Sequence, residues 1–147
     1  MRKSYSTWNK IYRVSFSIKV KKLSNHAWIN VINFMVDRTK EGVYGHRIPA
    51  VFIHKSGFFH ICSAVVGNWN YCKNFRFSLG KQYDITIQQY SEKSKYWYEI
   101  IINGSTFVKV QNTKPRKFSN VKEYISNPGY YSFTSDLGTI FNLEIEQ

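Results

Sequence analysis

The fold class is decided by residues 96–110, YWYEIIINGSTFVKV. Two runs of strand-forming residues flank Asn103-Gly104, and an Asn-Gly pair between such runs is the strongest short-range signal for a β-hairpin. The chain as a whole agrees with this pattern, because 11 Tyr, 11 Phe and 4 Trp in 147 residues favour pleated sheets over helices. The sequence therefore predicts an all-β protein.

Strand patterns recur on both sides of that hairpin. The clearest is Tyr12–Val20, in which apolar and polar residues alternate with the period of two of a strand that has one face in the core. The complete set of predicted strands is Tyr12–Val20, Ala27–Val36, Ile48–His54, Phe58–Val66, Tyr71–Phe77, Gln82–Tyr90, Tyr96–Asn103, Thr106–Gln111, Val121–Ser126 and Thr139–Glu146. Short strands at this spacing, with no linker or repeat, predict one β-sandwich domain over residues 1–147.

Basic residues outnumber acidic residues 21 to 9, and the excess is uneven along the chain. No acidic residue precedes Asp37, and a second acid-free stretch runs from Lys109 to Lys122. Such asymmetry favours an anionic partner, which could be an acidic glycan, nucleic acid or an anionic lipid surface. The alternative is that these side chains only solvate the protein. The basic residues predicted to contact a ligand are Lys19, Lys21, Lys114, Arg116 and Lys117.

Aromatic residues in turns are the second set of candidate ligand contacts. Trp69 lies between Asn68 and Asn70 in an expected turn, where a ring can stack on a sugar and the amides can bond its hydroxyl groups. Tyr130 and Tyr131 lie in an expected long loop, 127–137. The alternative for Trp69 is a ring that folds back and caps the edge of the sandwich.

Cys62 and Cys72 stand at almost equal distances from the Gly67-Asn68 turn. The hairpin register therefore places them opposite or nearly opposite each other, within the Cα separation that a disulfide needs. We predict a Cys62–Cys72 bridge, with two buried free thiols as the alternative. A bridge favours an oxidising compartment.

The sequence contains no convincing metal or catalytic motif. Its four histidines lack Cys or carboxylate partners at ligand spacing, so no metal ion or other cofactor is expected. Glu144 and Glu146 alternate with Phe141, Leu143 and Ile145, which are expected to point into the core. The two glutamates should then face solvent and pair with Arg13, Lys19 or Lys21 on the Tyr12–Val20 strand.

The first 20 residues are polar and alternating, without the apolar core of a signal peptide. No stretch has the length and hydropathy of a transmembrane helix. The chain is either intracellular or a mature form with an added Met. Of these two, we expect the mature form of an extracellular or secreted protein. The oligomeric state stays open.

Three segments together resemble the concanavalin A-like jelly rolls, and laminin G-like modules above all. They are the basic alternating first strand, Tyr98–Gly104, and the final Gly138–Ile145, which reads G-T-I-F-N-L-E-I. The resemblance implies a two-sheet antiparallel sandwich that binds glycans or proteins. The calcium-ligand pattern of laminin G-like modules, the His-Asn-Arg and Trp-Glu signature of galectins and the Glu-x-Asp-x-Glu strand of glucanases are absent. Calcium dependence, sugar specificity and hydrolase activity are therefore not implied.

The combined prediction is a non-catalytic, lectin-like or adhesive module that binds a glycan or a glycosylated protein, with preference for anionic or sulfated forms. One alternative is a polysaccharide-active enzyme, since the fold can host catalysis. The other is a nucleic-acid-binding β-domain that uses the same positive charge.

Overall fold

The computed structural model describes residues 3–126 and 131–147, and within them the chain forms strands and no helix. No helix in this part of the protein is long and apolar enough to cross a membrane. The strands are β1 (Lys3–Trp8), β2 (Tyr12–Val20), β3 (Trp28–Val36), β4 (Ala50–His54), β5 (Phe58–Val65), β6 (Asn68–Arg76), β7 (Gln82–Glu92), β8 (Lys95–Ile102), β9 (Ser105–Gln111), β10 (Phe118–Ile125), β11 (Tyr131–Ser132) and β12 (Gly138–Glu146).

The strands form two sheets. One has seven strands, in the order β1-β10-β3-β4-β5-β6, with β11 added in parallel to the start of β3. The other has five strands, in the order β12-β2-β7-β8-β9, and all of its pairs are antiparallel. The predicted all-β, two-sheet jelly-roll sandwich is confirmed.

Alternation along the strands builds the core. In β2, Val14, Phe16 and Ile18 are buried against the other sheet, while Arg13 and Lys19 face water. A sheet with one face in the core and one in solvent produces this pattern. Strand β3 lies between β10 and β4 in the sheet and is buried along most of its length.

Two strands were absent from the predicted set. Strand β1 is an edge strand in which only Trp8 is buried, so its sequence lacks an apolar alternation. Strand β11 is two residues long and exists because Tyr131 and Ser132 pair with β3. Tyr131 therefore stands in a short strand and not in a loop, whereas Tyr130 lies outside the described residues.

Strand β12 corrects the prediction that Phe141 points into the core. Its pairing with β2 shifts between Phe141 and Glu144, where Asn142 has a φ of 54°. A bulge of this kind changes the face on which the following residues lie. Phe141 is consequently exposed, whereas Leu143 and Ile145 pack partly on the core as predicted.

The two ends of the sandwich carry different loops. At one end, Val66 N donates to Asn112 Oδ1 at 2.9 Å, which ties the β5–β6 turn to the β9–β10 connection. At the other end, Lys21 N donates to Leu137 O at 2.7 Å, next to β11. We call these the Trp69 end and the Tyr131 end.

Candidate binding site on the seven-stranded sheet

The predicted turn around Trp69 is shorter than expected. Val66 and Gly67 form it alone, both with positive φ (52° and 75°), as tight two-residue hairpin turns require. Asn68 already pairs with Val65, so Asn68, Trp69 and Asn70 lie at the start of β6 and not in the turn. The prediction of a turn-borne Trp69 is wrong.

Trp69 is half-buried and contacts other side chains of the protein. The Arg47 guanidinium lies 5.3 Å from its ring centroid, and the His46 ring meets it edge-on at 5.9 Å. The flanking amides also have internal partners: Asn68 Oδ1 accepts from Asn70 N at 2.9 Å, and Asn70 Oδ1 accepts from Arg47 Nη1. Trp69 therefore packs against Arg47 and helps to hold its guanidinium in place. Contact with a ligand would be a second role of the same ring.

The solvent-facing side of β3, β4 and β5 carries a continuous row of rings. Trp28 contacts His54 and His60 at centroid distances of 4.6 and 4.9 Å, and His54 stacks on Phe58 at 4.8 Å. These rings lie next to one another because the sheet register places their residues opposite each other. Trp28 pairs with His54, His54 with Phe58, and Phe52 with His60. We call Trp28, Phe52, His54, Phe58 and His60 the aromatic face.

A groove of about 170 Å³ lies at the edge of the aromatic face that points to the Trp69 end. Its lining is formed by Trp28, Phe52, His60, Glu41, Arg47 and Asn70. Enclosed small-molecule sites hold roughly 300–1,000 Å³, so this groove suits one ring or one end of a larger ligand. Rings beside a cation, a carboxylate and an amide give it both stacking and hydrogen-bonding groups.

Arg47 is the central polar residue of the groove. It is only 6% exposed, and its guanidinium lies between the rings of Phe52, at 4.7 Å, and Trp69, at 5.3 Å. Such cation–π contacts gain strength when they are desolvated. Arg47 is therefore held rigidly where it can meet an acceptor on a ligand.

His60 stands beside Arg47, in surroundings that disfavour its protonated form. Burial lowers the pKa of His60, and the nearby charges of Arg47 and His54 lower it further, although the bond with Asn74 opposes the shift. His60 Nδ1 lies 2.6 Å from Asn74 Oδ1. In the tautomer with its proton on Nδ1, His60 donates this bond to the Asn74 amide oxygen and keeps a lone pair on Nε2.

Cys62 and Cys72 are directly opposite each other on β5 and β6, and the structure joins them in a disulfide. The bridge lies beside the groove: Arg47 Nη1 is 3.7 Å from Cys62 Sγ, and Cys72 Sγ is 3.0 Å from Asn70 Oδ1. It links the edge strand β6 to the groove floor.

The five predicted basic contacts do not form one patch. Lys114, Arg116 and Lys117 lie in the β9–β10 connection, and the Lys114 side chain approaches Gly67 at the Trp69 end. Lys19 pairs with Gln82 and Thr139, and Lys21 is bonded to Leu137, at the Tyr131 end. The five residues therefore lie in two regions of the surface, because the fold separates residues that share only charge. Their contact with a ligand stays a prediction.

Tyr131 is also remote from Trp69. It is 59% exposed and stacks on His26 with ring centroids 3.2 Å apart. Its partner in the sheet is Ile29 at the start of β3, whereas Trp69 lies at the start of β6 at the opposite end. The aromatic face lies between these two predicted contacts.

The final glutamates face solvent, as predicted. Glu146 pairs with Arg13 in the register, but Glu144 pairs with Ser15, and Lys19 pairs with Thr139. Only Arg13 among the three predicted basic partners is therefore opposite a glutamate, because the bulge shifts the rest of the strand.

Sequence reasoning missed five groove residues, namely Trp28, Glu41, Arg47, Phe52 and His60. A signal was present in His54 and His60, which stand on either side of a Gly57 turn and so share a face. Nothing in the sequence shows that Arg47, from the loop before β4, packs onto that face.

Comparison with known proteins shows the class of fold. No protein-family model matches the chain, and no curated protein matches it in sequence. Solved structures do match: a human galectin-16 carrying a single substitution is 12% identical with a TM-score of 0.54, over 98% of this chain and 94% of that one. A sheep galectin-11 complex with glycerol is 10% identical with a TM-score of 0.50, over 98% and 95%.

An enzyme shares the same architecture. The alginate lyase AlgAT5, of polysaccharide lyase family 7, is 14% identical with a TM-score of 0.55, over 95% of this chain and 62% of the lyase. The chain therefore has the concanavalin A-like jelly-roll fold. The nearer resemblance to laminin G-like modules is not confirmed.

Proposed function

We propose that this protein is a non-catalytic carbohydrate-binding module whose binding site is the groove beside the aromatic face. The observation that carries the proposal is the groove lining, where the half-buried ring of Trp28 shares the groove with the Arg47 guanidinium, which itself packs on the buried ring of Phe52. Aromatic rings stack on the apolar faces of sugars, and a fixed cation bonds their oxygens. The galectin-like fold supports the same class of ligand.

Anionic glycans are the preferred form of that ligand. The formal net charge is +12, and Arg47 together with the exposed Lys114, Arg116 and Lys117 places positive charge at the Trp69 end. An acidic sugar that enters the groove would therefore meet Arg47 within it and three more cations at the same end, which outnumber Glu41, the carboxylate of the lining. The disulfide supports an extracellular or secreted location, because such bonds persist in oxidising compartments.

A glycan array, run with and without calcium, tests the proposal. We expect binding to sulfated or uronic-acid glycans that is equal in both conditions and weakens with salt. Single-stranded and duplex oligonucleotides of matched charge serve as competitors. Stronger binding to an oligonucleotide than to every glycan would contradict the proposal and favour the nucleic-acid alternative.

The enzyme alternative is tested on the same ligands. Incubation of each bound polysaccharide with the protein should release neither new reducing ends nor unsaturated uronate. Turnover of any glycan would overturn the non-catalytic assignment.

A further inference from the structure

Three potential metal ligands meet on the outer side of β5 and β6. One ring nitrogen of His60 and the sulfurs of Cys62 and Cys72 all lie within 4.8 Å of one another. His60 and Cys62 are two residues apart on β5 and so share a face, and Cys72 is opposite Cys62 on β6. The prediction that no histidine has a Cys partner at ligand spacing is therefore wrong for His60. The backbone of two paired strands therefore fixes all three positions.

The surroundings resemble those of a built metal site. Metal-binding histidines usually donate the proton of their second nitrogen to an oxygen, which sets the ring orientation, and His60 Nδ1 is bonded to Asn74 Oδ1 in this way. Arg47 Nη1, 3.7 Å from Cys62 Sγ, is a donor that can bond a thiolate. His60 and Cys72 are half-buried, so a cation can enter between them.

We propose that reduction of the Cys62–Cys72 bond converts this corner into a site for Zn²⁺ or a similar thiophilic cation. An external dithiol supplies two electrons and two protons, so that the disulfide becomes two thiols and the reductant becomes a disulfide. The cation then displaces the two thiol protons and binds both thiolates and the His60 ring nitrogen that lies near them. A water molecule completes the four ligands that zinc takes, as in sites with three protein ligands.

The oxidised protein excludes the metal, because a disulfide sulfur carries no thiolate charge. The disulfide-bonded state and the metal-bound state are therefore mutually exclusive. This site shares Arg47 with the groove, but it does not depend on the identity of the glycan.

The test is an anaerobic titration of Co²⁺ into protein reduced with a phosphine, followed by absorbance. We expect one equivalent to bind, with a thiolate-to-cobalt charge-transfer band that Zn²⁺ abolishes. The oxidised protein should show no band. His60→Asn should weaken Co²⁺ binding at least tenfold, and Asn74→Ala should weaken it about tenfold by freeing the ring. The matched control is His54→Asn, on the same face, which should bind like wild type.

Near-ultraviolet circular dichroism of the reduced protein must accompany the titration. A native spectrum without a charge-transfer band would overturn the proposal, and so would His60→Asn with unchanged affinity. Loss of the native spectrum on reduction would overturn it as well, because the site would then not exist in the folded chain. Glycan binding by the oxidised protein is unaffected by all three outcomes, so a failure here leaves the proposed function standing.

Discussion

The outer faces of the two sheets differ in how their polar groups are satisfied. On the five-stranded sheet, Ser17 Oγ donates to Asp84 at 2.7 Å, and Gln88 and Thr106 donate to Glu99 at 2.8 and 2.7 Å. On the seven-stranded sheet the corresponding surface is a row of rings beside a groove. Asp84 and Glu99 on the first face are bonded to neighbouring side chains, whereas the second face presents half-buried rings that water satisfies poorly.

The faces also differ in covalent support. The seven-stranded sheet has an edge strand, β6, that is bridged to its neighbour by Cys62–Cys72. The edge strand β9 of the other sheet is joined to β8 by the Asn103-Gly104 turn and by the hydrogen bonds of the ladder. The groove is therefore expected to be the region that depends most on a single covalent bond.

Removal of the bridge should have the largest effect. Cross-linking residues ten apart lowers the entropy of the unfolded chain, and we expect Cys62→Ser/Cys72→Ser to cost about 2 to 3 kcal/mol of unfolding free energy. Urea denaturation of the variant and of wild type measures this loss of unfolding free energy. Wild type under reductant is the matched control and should lose the same amount. A loss below about 1 kcal/mol in both would show that β6 does not need the bridge.

Truncation of one ring on each sheet should show which of the two faces binds the glycan. Trp28→Ala should weaken glycan binding roughly two- to tenfold, since an aromatic contact contributes about 0.5 to 1.5 kcal/mol beyond area burial. The control is Trp97→Ala on the five-stranded sheet, a half-buried ring under Lys109, which should leave affinity unchanged. Calorimetric titration measures both. Equal losses would show that the groove is not the binding site.

Charge reversal at each end of the sandwich should separate local charge from net charge. We expect Lys114→Glu/Arg116→Glu/Lys117→Glu to elute from a heparin-like resin at clearly lower salt than Lys19→Glu/Lys21→Glu. The reason is that charges more than about 8 Å from the ligand are screened at physiological ionic strength. If the two variants shift equally per charge, the basic residues act only through the net charge.

Titration of His60 should give the smallest effect. Its pKa is lowered in the folded protein, so the unfolded chain binds a proton first as the pH falls. Stability contributed by the neutral ring is therefore complete above about pH 6.5 and is lost as the pH falls below it. Thermal melts between about pH 7.5 and 5 should show a decline that is smaller in His60→Asn. The same slope in the variant would assign the decline to other groups.

The strands themselves could be predicted because they depend on local patterns. The alternation in Tyr12–Val20 and the Asn103-Gly104 turn gave β2 and the β8–β9 hairpin with boundaries correct to one residue. The facing positions of Cys62 and Cys72 followed from their distances to one turn. The pattern does not contain β1, because an exposed edge strand needs little apolar sequence.

The binding surface could not be predicted in the same way. Trp28, Phe52, His60 and Arg47 come from separate parts of the chain, and it is the β3-β4-β5 register that places the three rings on one face. The positive charge was visible in the sequence, but its division between two ends of the sandwich was not.

Local sequence was enough for the all-β class, most strand boundaries, the opposed cysteines and the basic charge. These features depend on residues close in the chain, where the period of two and the turn chemistry act directly. Only in the folded sandwich is Arg47 buried between Phe52 and Trp69, and only there does Trp28 contact His60. Such contacts join residues that are distant in the chain, and only the order and register of the strands in the sheet determine which of them meet.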